Sequence, residues 1–364
     1  MAPYLAPINH TVVRTPFHLS KIASVITLLA LCLGLTGCLS RSGSDQASFF
    51  NLLQSDGIQE VALELDLSAV RAKSDEPQAG TLRWQHPCGR AYAIPVEVST
   101  RGNSRRTYCN FPPLKLDLGE GQVVQGRPLV PESYKLVSHC LDSDADEQLV
   151  LKEFLAYRLY EELTPISFRT HLLKITYRDA NGQEERHWAI LLEDKNELAE
   201  RLDARLLDGD ASVQTVAADE YSLFTVFQYM IGNTDWNLGR RHNLKFIRTQ
   251  DSSLPVPVPY DFDFSGLVDA PYAKPHPDLP IHDVQQRFFQ WRGRDRAQLK
   301  PVLEYLAGKK GALLDRIETV PGLQAKEKNR ARAYLESFFQ TMDQLLEHDV
   351  RMVESLPLDH SDLS

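Results

Sequence analysis

The sequence predicts an α+β fold with a strand-rich first half and a helix-rich second half. Three observations predict it. Apolar and polar residues alternate in several short segments between residues 61 and 192, which is typical of strands with one buried face. Apolar residues recur at helical spacing over residues 144–163 and again from residue 295. The 364 residues are 43% hydrophobic and 24% charged, as in proteins that bury a core.

The N-terminus predicts an export signal. Residues 22–35 are almost wholly apolar, follow Arg14 and Lys21, and form a run too short for a comfortable membrane span. The run ends in Leu-Thr-Gly-Cys at 35–38, the pattern that precedes cleavage in bacterial lipoproteins. We therefore predict three N-terminal features: a signal peptide over residues 1–37, lipidation of Cys38 and a polar tether over residues 38–47.

Lipidation of Cys38 predicts attachment to a membrane in the bacterial cell envelope. More than one acyl chain anchors stably, since each buried methylene contributes about 0.8 kcal/mol. Leu39 stands where retention in the inner membrane usually requires Asp. By resemblance to sorted lipoproteins, the expected location is the outer membrane, facing the periplasm. The alternative is an ordinary signal peptide followed by an incidental cysteine.

The predicted mature chain is acidic, with 38 basic and 49 acidic residues and a net charge of −11. Nucleic acid is not an expected partner, because binding it requires cations that displace phosphate counterions. Three cysteines remain after Cys38, and two of them are expected to pair in an oxidising periplasm. Cys109 and Cys140 flank neighbouring predicted strands and are the favoured pair, which leaves Cys88. The Cys and His residues show no spacing typical of zinc sites.

In the first half, we predict four strands, a helix and a hairpin. The strands cover residues 61–67, 94–100, 113–118 and 134–139. The turn Arg101-Gly102-Asn103-Ser104 follows the second strand. A helix over 144–163 ends before Pro165, and a hairpin joins strands 171–177 and 185–192 through Asn181-Gly182.

In the second half, an apolar helix over residues 220–231 ends at Gly232. A polar loop over 233–243 follows, and then two strands over 244–248 and 254–260. The second strand leads directly into Asp261-Phe262-Asp263. The tail, residues 295–356, is predicted to be mostly amphipathic helix.

Two polar groups of residues point to chemistry. The loop contains Asp235, Asn237 and Asn243, and the last strand delivers Asp261 and Asp263. Carboxylates and amides of this kind suit a hard cation such as Mg²⁺. The same layout serves phosphoryl transfer in protein kinases, with a catalytic-loop acid, a metal-binding Asn and a metal-binding Asp. The structural alternative is turns and helix caps, in which Asp and Asn are the commonest residues.

The order of elements upstream is also that of a kinase N-lobe. Lys135 lies on the strand directly before the helix, and Glu153 lies within that helix on an apolar stripe with Leu149 and Ala156. An acid on such a stripe faces inward and needs a partner, and Lys135 is the expected one. Lys115, on the preceding strand, is the alternative for the lysine role. Glu153 reaching water at the edge of the stripe is the other alternative.

On these residues the sequence resembles the spore-coat protein H (CotH) kinase-like family, over about residues 60–270. The matching pieces are Arg101-Gly102-Asn103-Ser104 with the Lys-Leu-Asp-Leu strand after it, the hairpin that ends in Leu-Leu-Glu, Asn233-Thr234-Asp235 with Asn243, and Tyr260-Asp261-Phe262-Asp263. Members of that family are atypical kinases that transfer phosphate from ATP with Mg²⁺. The sequence departs from standard kinases in its Asn spacing and in having Asp-Phe-Asp for Asp-Phe-Gly.

The resemblance implies a two-lobed, protein-kinase-like fold with a helical C-terminal extension. The expected parts are an N-lobe-like half over 48–194, a C-lobe-like half over 195–294 and C-terminal helices over 295–364. It also implies roles for individual residues: Asp235, Lys135 and Glu153 in catalysis, Asp261, Asp263 and either Asn243 or Asn237 at the metal, and Arg101, Gly102, Asn103 and Lys115 at the nucleotide.

The expected activity is therefore Mg²⁺-dependent transfer of a phosphoryl group from ATP to an unknown acceptor, a protein or a glycan. Two other functions stay open. One is a binding or scaffolding lipoprotein that keeps the kinase-like fold without catalysis. The other is a metal-dependent hydrolase that uses Asp261 and Asp263 with His242.

Overall fold

The computed structural model describes residues 46–53, 58–86, 89–102, 104–208, 212, 215–250, 252–292, 296–346 and 353–354. All of these belong to one compact unit, residues 45–364. The predicted signal peptide and Cys38 lie outside the described residues, as do Cys88 and Asn103. Among the helices described, none combines the length and apolar character needed to cross a bilayer.

The first half contains most of the strands. Its elements in chain order are α1 Phe49–Leu52, β1 Gln59–Glu64, α2 Leu67–Arg71, β2 Gln78–Gln85, β3 Ala91–Thr100, α3 Ser104–Tyr108, β4 Leu114–Asp117, β5 Val123–Val124, β6 Arg127–Pro128, β7 Ser133–Val137, α4 Asp144–Leu163, β8 Thr170–Arg178 and β9 Glu184–Leu192.

The second half is mainly helical. Its elements are α5 Lys195–Arg201, β10 Arg205–Leu207, α6 Ala218–Met230, β11 Leu244–Arg248, β12 Val256–Pro259, β13 Arg287–Phe288, α7 Leu299–Glu318, α8 Ala325–Thr341 and β14 Val353–Glu354, with 3-10 turns at Arg296–Gln298 and Met342–Leu346. The predicted α+β class is confirmed.

Seven strands in the described part of the chain form one closed sheet, in the order β1-β2-β3-β4-β7-β9-β8. Parallel pairing of β1 with β8 closes it, with Val61 opposite Ile175. Alternate side chains of every strand point inward, so Leu63, Val98 and Leu116 are buried in one interior core. Closure leaves no free strand edge. Neither β2 nor this closure is predicted from the sequence.

Helix α4 connects the closed sheet to the helical half. The predicted bounds, residues 144–163, are confirmed, and Ser143 caps the helix by accepting a hydrogen bond from the Asp146 N–H. Its buried face lies in a second core that also contains residues of α6, α7 and α8. Because α4 packs against both β9 and α7, residues on it are held between the two halves.

Two predicted elements end earlier than expected. The strand predicted over 61–67 ends at Glu64, because Asp66 accepts hydrogen bonds from the N–H groups of Ser68 and Ala69 and starts α2. The predicted tether ends one residue early, since Ala47 is buried and its N–H donates to Pro128 O. A disulfide joins Cys109, after α3, to Cys140, after β7.

Candidate functional site

A cleft of about 300 Å³ brings together the two polar groups that the sequence singles out. One wall is the turn after β3, and the other is formed by the loops after α6 and β12. The cleft is lined by four of the predicted site residues from these loops: Asp235, Asn243, Asp261 and Asp263. Its volume is within the range of small-molecule sites, about 300–1,000 Å³.

The loop after α6 holds Asp235 in one orientation. Asn243 donates from Nδ2 to both Asp235 O and Asp235 Oδ2, each at 2.9 Å. His242 Nε2 lies 3.0 Å from Asp235 Oδ1, and the Asp235 N–H donates to Asn233 Oδ1. Burial raises the pKa of Asp235 above its ordinary value, although His242 opposes the shift. Asp235 is therefore a positioned carboxylate and a stronger base than an exposed one.

Asn243 and Asp261 share an unusual backbone conformation. Their φ angles are +55° and +68°, in the left-handed region that Asn and Asp tolerate better than other non-glycine residues. The Asp261 N–H donates to the Tyr157 hydroxyl oxygen at 2.9 Å, which fixes the start of the Asp-Phe-Asp segment against α4. Arg101 Nη2 lies 3.9 Å from Asp261 Oδ2. Strained backbone of this kind concentrates at functional sites.

Asp263 differs from Asp261 in its surroundings. It is 4% exposed, and the side chains of Asp261 and Tyr272 lie beside it. Burial, and then the negative charges of Asp261 and Glu153, raise the pKa of Asp263 well above its ordinary value. Burial therefore disfavours the charged form of Asp263, and Asp261, whose side chain is 29% exposed, is the better-placed first ligand.

Glu153 faces inward as expected, but its partner is not Lys135. It is 1% exposed, and Arg105 Nη1 lies 3.8 Å from its Oε2. Arg105 is itself buried and also donates to Ser138 O. Burial first, and then Asp261, raise the pKa of Glu153 to about 7. The expected Lys135–Glu153 pair is thus wrong, because α3 carries an arginine into the position at which the lysine was expected.

Lys135 instead faces a second cavity of about 480 Å³. Its Nζ lies 3.6 Å from the Tyr260 ring centroid. Lys115, directly opposite Lys135 in the β4–β7 register, lines the same cavity and pairs with Asp117 at 2.8 Å. Five basic residues line this cavity: Arg101, Lys115, Lys135, Lys195 and Lys245. Arg101 also lines the first cleft, so the two cavities adjoin.

The protonation of Lys135 provides a test of this cavity. Burial first, and then the charge of Arg101, lower the pKa of Lys135 to about 7. A bound phosphate favours the ammonium form. If this cavity binds a nucleotide, binding above pH 7 should therefore take up a proton, and affinity should fall as pH rises toward 9. Calorimetry at pH 8 in buffers of different ionisation enthalpy measures this uptake. Uptake should vanish in Lys135→Met, and equal uptake in that variant would contradict the assignment.

Asn237 does not line the cleft. Its side chain is exposed, and its Oδ1 accepts a hydrogen bond from the Arg240 N–H at 2.8 Å, which stabilises the loop. Of the two alternatives, Asn243 lines the cleft and Asn237 does not. Gly102 lies in the cleft wall with φ +89°, a conformation that a side chain would strain. Asn103 lies outside the described residues.

Sequence reasoning missed Arg105 and Tyr157, and it placed Tyr272 only in a long loop that could line a cleft. Arg105 is followed by Arg106, and nothing in that pair tells which side chain is buried. Tyr157 is one turn after Glu153 in α4, a spacing that places both on the same face of the helix. That spacing is the one local signal that could have found it. Tyr272 comes from a proline-rich segment with no periodicity.

Comparisons with known proteins give little further information. No family model matches the chain, and no curated protein matches it. Among solved structures, it is similar to the crystal structure of a Helicobacter pylori proinflammatory kinase, CtkA, with 11% sequence identity and a TM-score of 0.36. The match covers 65% of this chain and 90% of that one.

Proposed function

We propose that this protein is a membrane-anchored, CotH-like atypical kinase with a two-lobed kinase-like fold, which transfers a phosphoryl group from a nucleotide to an acceptor with the help of Mg²⁺. One observation carries the proposal. An acidic cleft, built from Asp235, Asn243 and Asp261, adjoins a cavity lined by basic side chains, and Arg101 belongs to both. Cation ligands next to a cationic cavity suit a metal-bound polyphosphate.

The charges of the acidic cleft favour a divalent cation. Three aspartates, with Glu153 directly behind them, face Arg101 and Arg105. Acidic groups therefore outnumber arginines, and Glu153 Oε1 has no hydrogen-bond partner among the described residues. The amide nitrogen of Asn243 already faces Asp235, which leaves its amide oxygen available. This oxygen and a carboxylate oxygen of Asp261 would hold Mg²⁺. When bound, the ion would neutralise charge on the phosphate oxygens.

The chain's own residues supply the remaining chemistry. Asp235 lies in the cleft, oriented by Asn243 and His242, where it can accept the proton of an acceptor hydroxyl group. Lys135, Lys115 and Lys245 would bind the phosphates and the remainder of the nucleotide. Glu193 and Asp194, which directly follow β9, line the same cavity. The acceptor, a protein or a glycan, would reach the cleft from the cell envelope.

Thermal unfolding of the full chain, purified in detergent, tests the proposal. Mg-ATP at 100 times its dissociation constant stabilises a protein by about 2.7 kcal/mol, a shift of several degrees in Tm. We expect this shift for the wild type and none for Asp261→Asn. Asparagine tolerates the positive φ of residue 261, so the variant removes the charge while preserving the backbone.

Asp269→Asn is the matched control, because Asp269 also has a positive φ of +53° but is exposed and outside the cleft. Asp269→Asn should keep the full shift in Tm. Chelation of Mg²⁺ should abolish the shift in the wild type and in Asp269→Asn. A wild type that Mg-ATP does not stabilise would contradict nucleotide binding and favour the scaffolding alternative. An equal shift in Asp261→Asn would contradict the choice of metal ligand.

A further inference from the structure

A second group of potential metal ligands lies outside the candidate site. His139 follows β7, Asp142 lies in the turn before α4, and Glu185 and His187 are on β9. Residues two apart on a strand point to the same face, which brings Glu185 and His187 to one side of β9. One donor atom from each of the four residues lies within 4.8 Å of all the others.

His139 provides an independent sign that this group binds a ligand. Its side chain is fully buried, and neither ring nitrogen has a hydrogen-bond partner among the described residues. The ring is held between Phe111, at 4.5 Å between centroids, and His187, at 3.6 Å. Its Nε2 lies 3.5 Å from Asp142 Oδ1. A buried polar group without a partner destabilises the fold, and a metal bound to a ring nitrogen would offset that cost.

His187 is oriented as metal-binding histidines are. Its Nδ1 lies 2.9 Å from Glu147 Oε1, which places the ring proton on Nδ1. Nε2 then carries the lone pair, and it lies 3.8 Å from Glu185 Oε2. A carboxylate that holds the far nitrogen of a histidine fixes the tautomer and makes the ring a better ligand. Glu147 also accepts a hydrogen bond from Lys174 at 3.3 Å, which holds the carboxylate in place.

Arg71 now supplies the positive charge at this position. Its guanidinium group donates to Asp142 at 3.1 Å and to Glu185 at 2.6 Å. The Arg71 side chain is 31% exposed and lies at the end of α2, so it can turn into solvent. A divalent cation would then take over both carboxylates and add the two imidazoles, which Arg71 cannot bind.

We propose that His139, Asp142, Glu185 and His187 form a binding site for Zn²⁺ or a similar transition-metal ion. Two imidazoles and two carboxylates suit such an ion, whereas the oxygen ligands of the acidic cleft suit Mg²⁺. The ion would join the turn before α4 to β9 and so stabilise the corner at which the closed sheet meets that helix. This site does not depend on the proposed phosphoryl transfer.

Calorimetric titration of Zn²⁺ into the full chain tests the site. The protein is purified in detergent without a polyhistidine tag and is first freed of metal by a chelator. We expect one Zn²⁺ per chain, and visible absorption from Co²⁺ in a site with nitrogen ligands. Affinity should fall more than 100-fold in His187→Gln, and about 10–100-fold in Glu147→Gln, which changes only the carboxylate behind the ligand. Asp142→Asn should also weaken binding.

Two controls and one gain-of-affinity variant distinguish specific binding at this site from binding elsewhere and from a loss of folding. Asp144→Asn, in the same exposed pocket but outside the ligand group, and Asp269→Asn, an exposed change outside both sites, should bind Zn²⁺ as the wild type does. Arg71→Met should bind more tightly, because the competing cation is gone, and a loss of folding could not produce that result. Absence of Zn²⁺ binding by the wild type would overturn the proposal, as would undiminished binding in His187→Gln or an equal loss in Asp144→Asn.

Discussion

Replacement of Arg105 by alanine is expected to lower the free energy of unfolding by about 3–5 kcal/mol. Arg105 is 7% exposed and stands beside two buried acids, Glu153 and Asp263. The neighbouring Tyr272, Asp263 and Glu153 raise the pKa of Arg105 although burial opposes its charge. Its removal leaves these two buried acids without their neighbouring cation. Chemical denaturation with urea measures the loss.

The next residue provides the matched control. Arg106 is half-buried, and its ion pair is with Asp75, which is 83% exposed, so Arg106→Ala should cost about 1 kcal/mol or less. Adding Glu153→Gln to Arg105→Ala should recover part of the lost stability, because one uncompensated charge is removed. A loss below about 1 kcal/mol in Arg105→Ala would contradict the role given to this side chain.

The Arg105 effect should also depend on pH. The pKa of Glu153 is about 7 in the folded protein and 4.5 when unperturbed, so the folded state binds more protons between these values. The contribution of Glu153 to the free energy of unfolding therefore falls as pH rises from about 4.5 to 7. Arg105 lowers the pKa of Glu153, so without it that pKa rises further. The difference between wild type and Arg105→Ala should accordingly be smaller at pH 5 than at pH 8.

The second large effect is expected at Asp235. Asp235→Asn should lower the rate of ADP formation from Mg-ATP, and of phosphate incorporation into acceptors, by about 10²–10⁴-fold. Asparagine keeps the size of the side chain but cannot accept the proton of the attacking hydroxyl group. The Mg-ATP shift in Tm should remain, because Asp261 and the basic cavity are intact.

Arg240→Ala, an exposed change in the same loop, is the control and should keep the wild-type rate. An unchanged rate in Asp235→Asn would contradict the assignment of the base. A wild type that binds Mg-ATP but forms no ADP with any acceptor would show that the fold binds nucleotide without catalysis. The binding and rate measurements therefore separate the kinase proposal from the scaffolding alternative.

Sequence reasoning placed the acidic cleft well because its residues lie in two short segments, each with a strong local signal. The loop of residues 233–243 follows an apolar helix, and Asp261 follows an apolar strand, so both positions could be read from local periodicity. The two segments also flank β11 and β12, which are neighbours in sequence and pair directly. The pairing of these two neighbouring strands is enough to bring the two segments together. The order of elements along the chain already implied that pairing.

The partner of Glu153 could not be read in the same way. Periodicity indicates that Glu153 faces inward, but an ion pair depends on which cation the fold brings near. Lys135 and Arg105 both precede α4, and the choice between them depends on the path of α3, which contains only five residues. The same limit applies to Lys135, whose position beside Tyr260 depends on the approach of β12 to β7.

By itself, the sequence determined the α+β class, the bounds of helix α4, the loops that carry Asp235, Asn243 and Asp261, and the inward direction of Glu153. These follow from local patterns of apolar and polar residues, and such patterns need only near neighbours. Only the tertiary structure decided the closure of the sheet, the Arg105–Glu153 pair and the group of His139, Asp142, Glu185 and His187. The physical reason is that alternation reveals which face of a strand is buried but not which strand lies beside it.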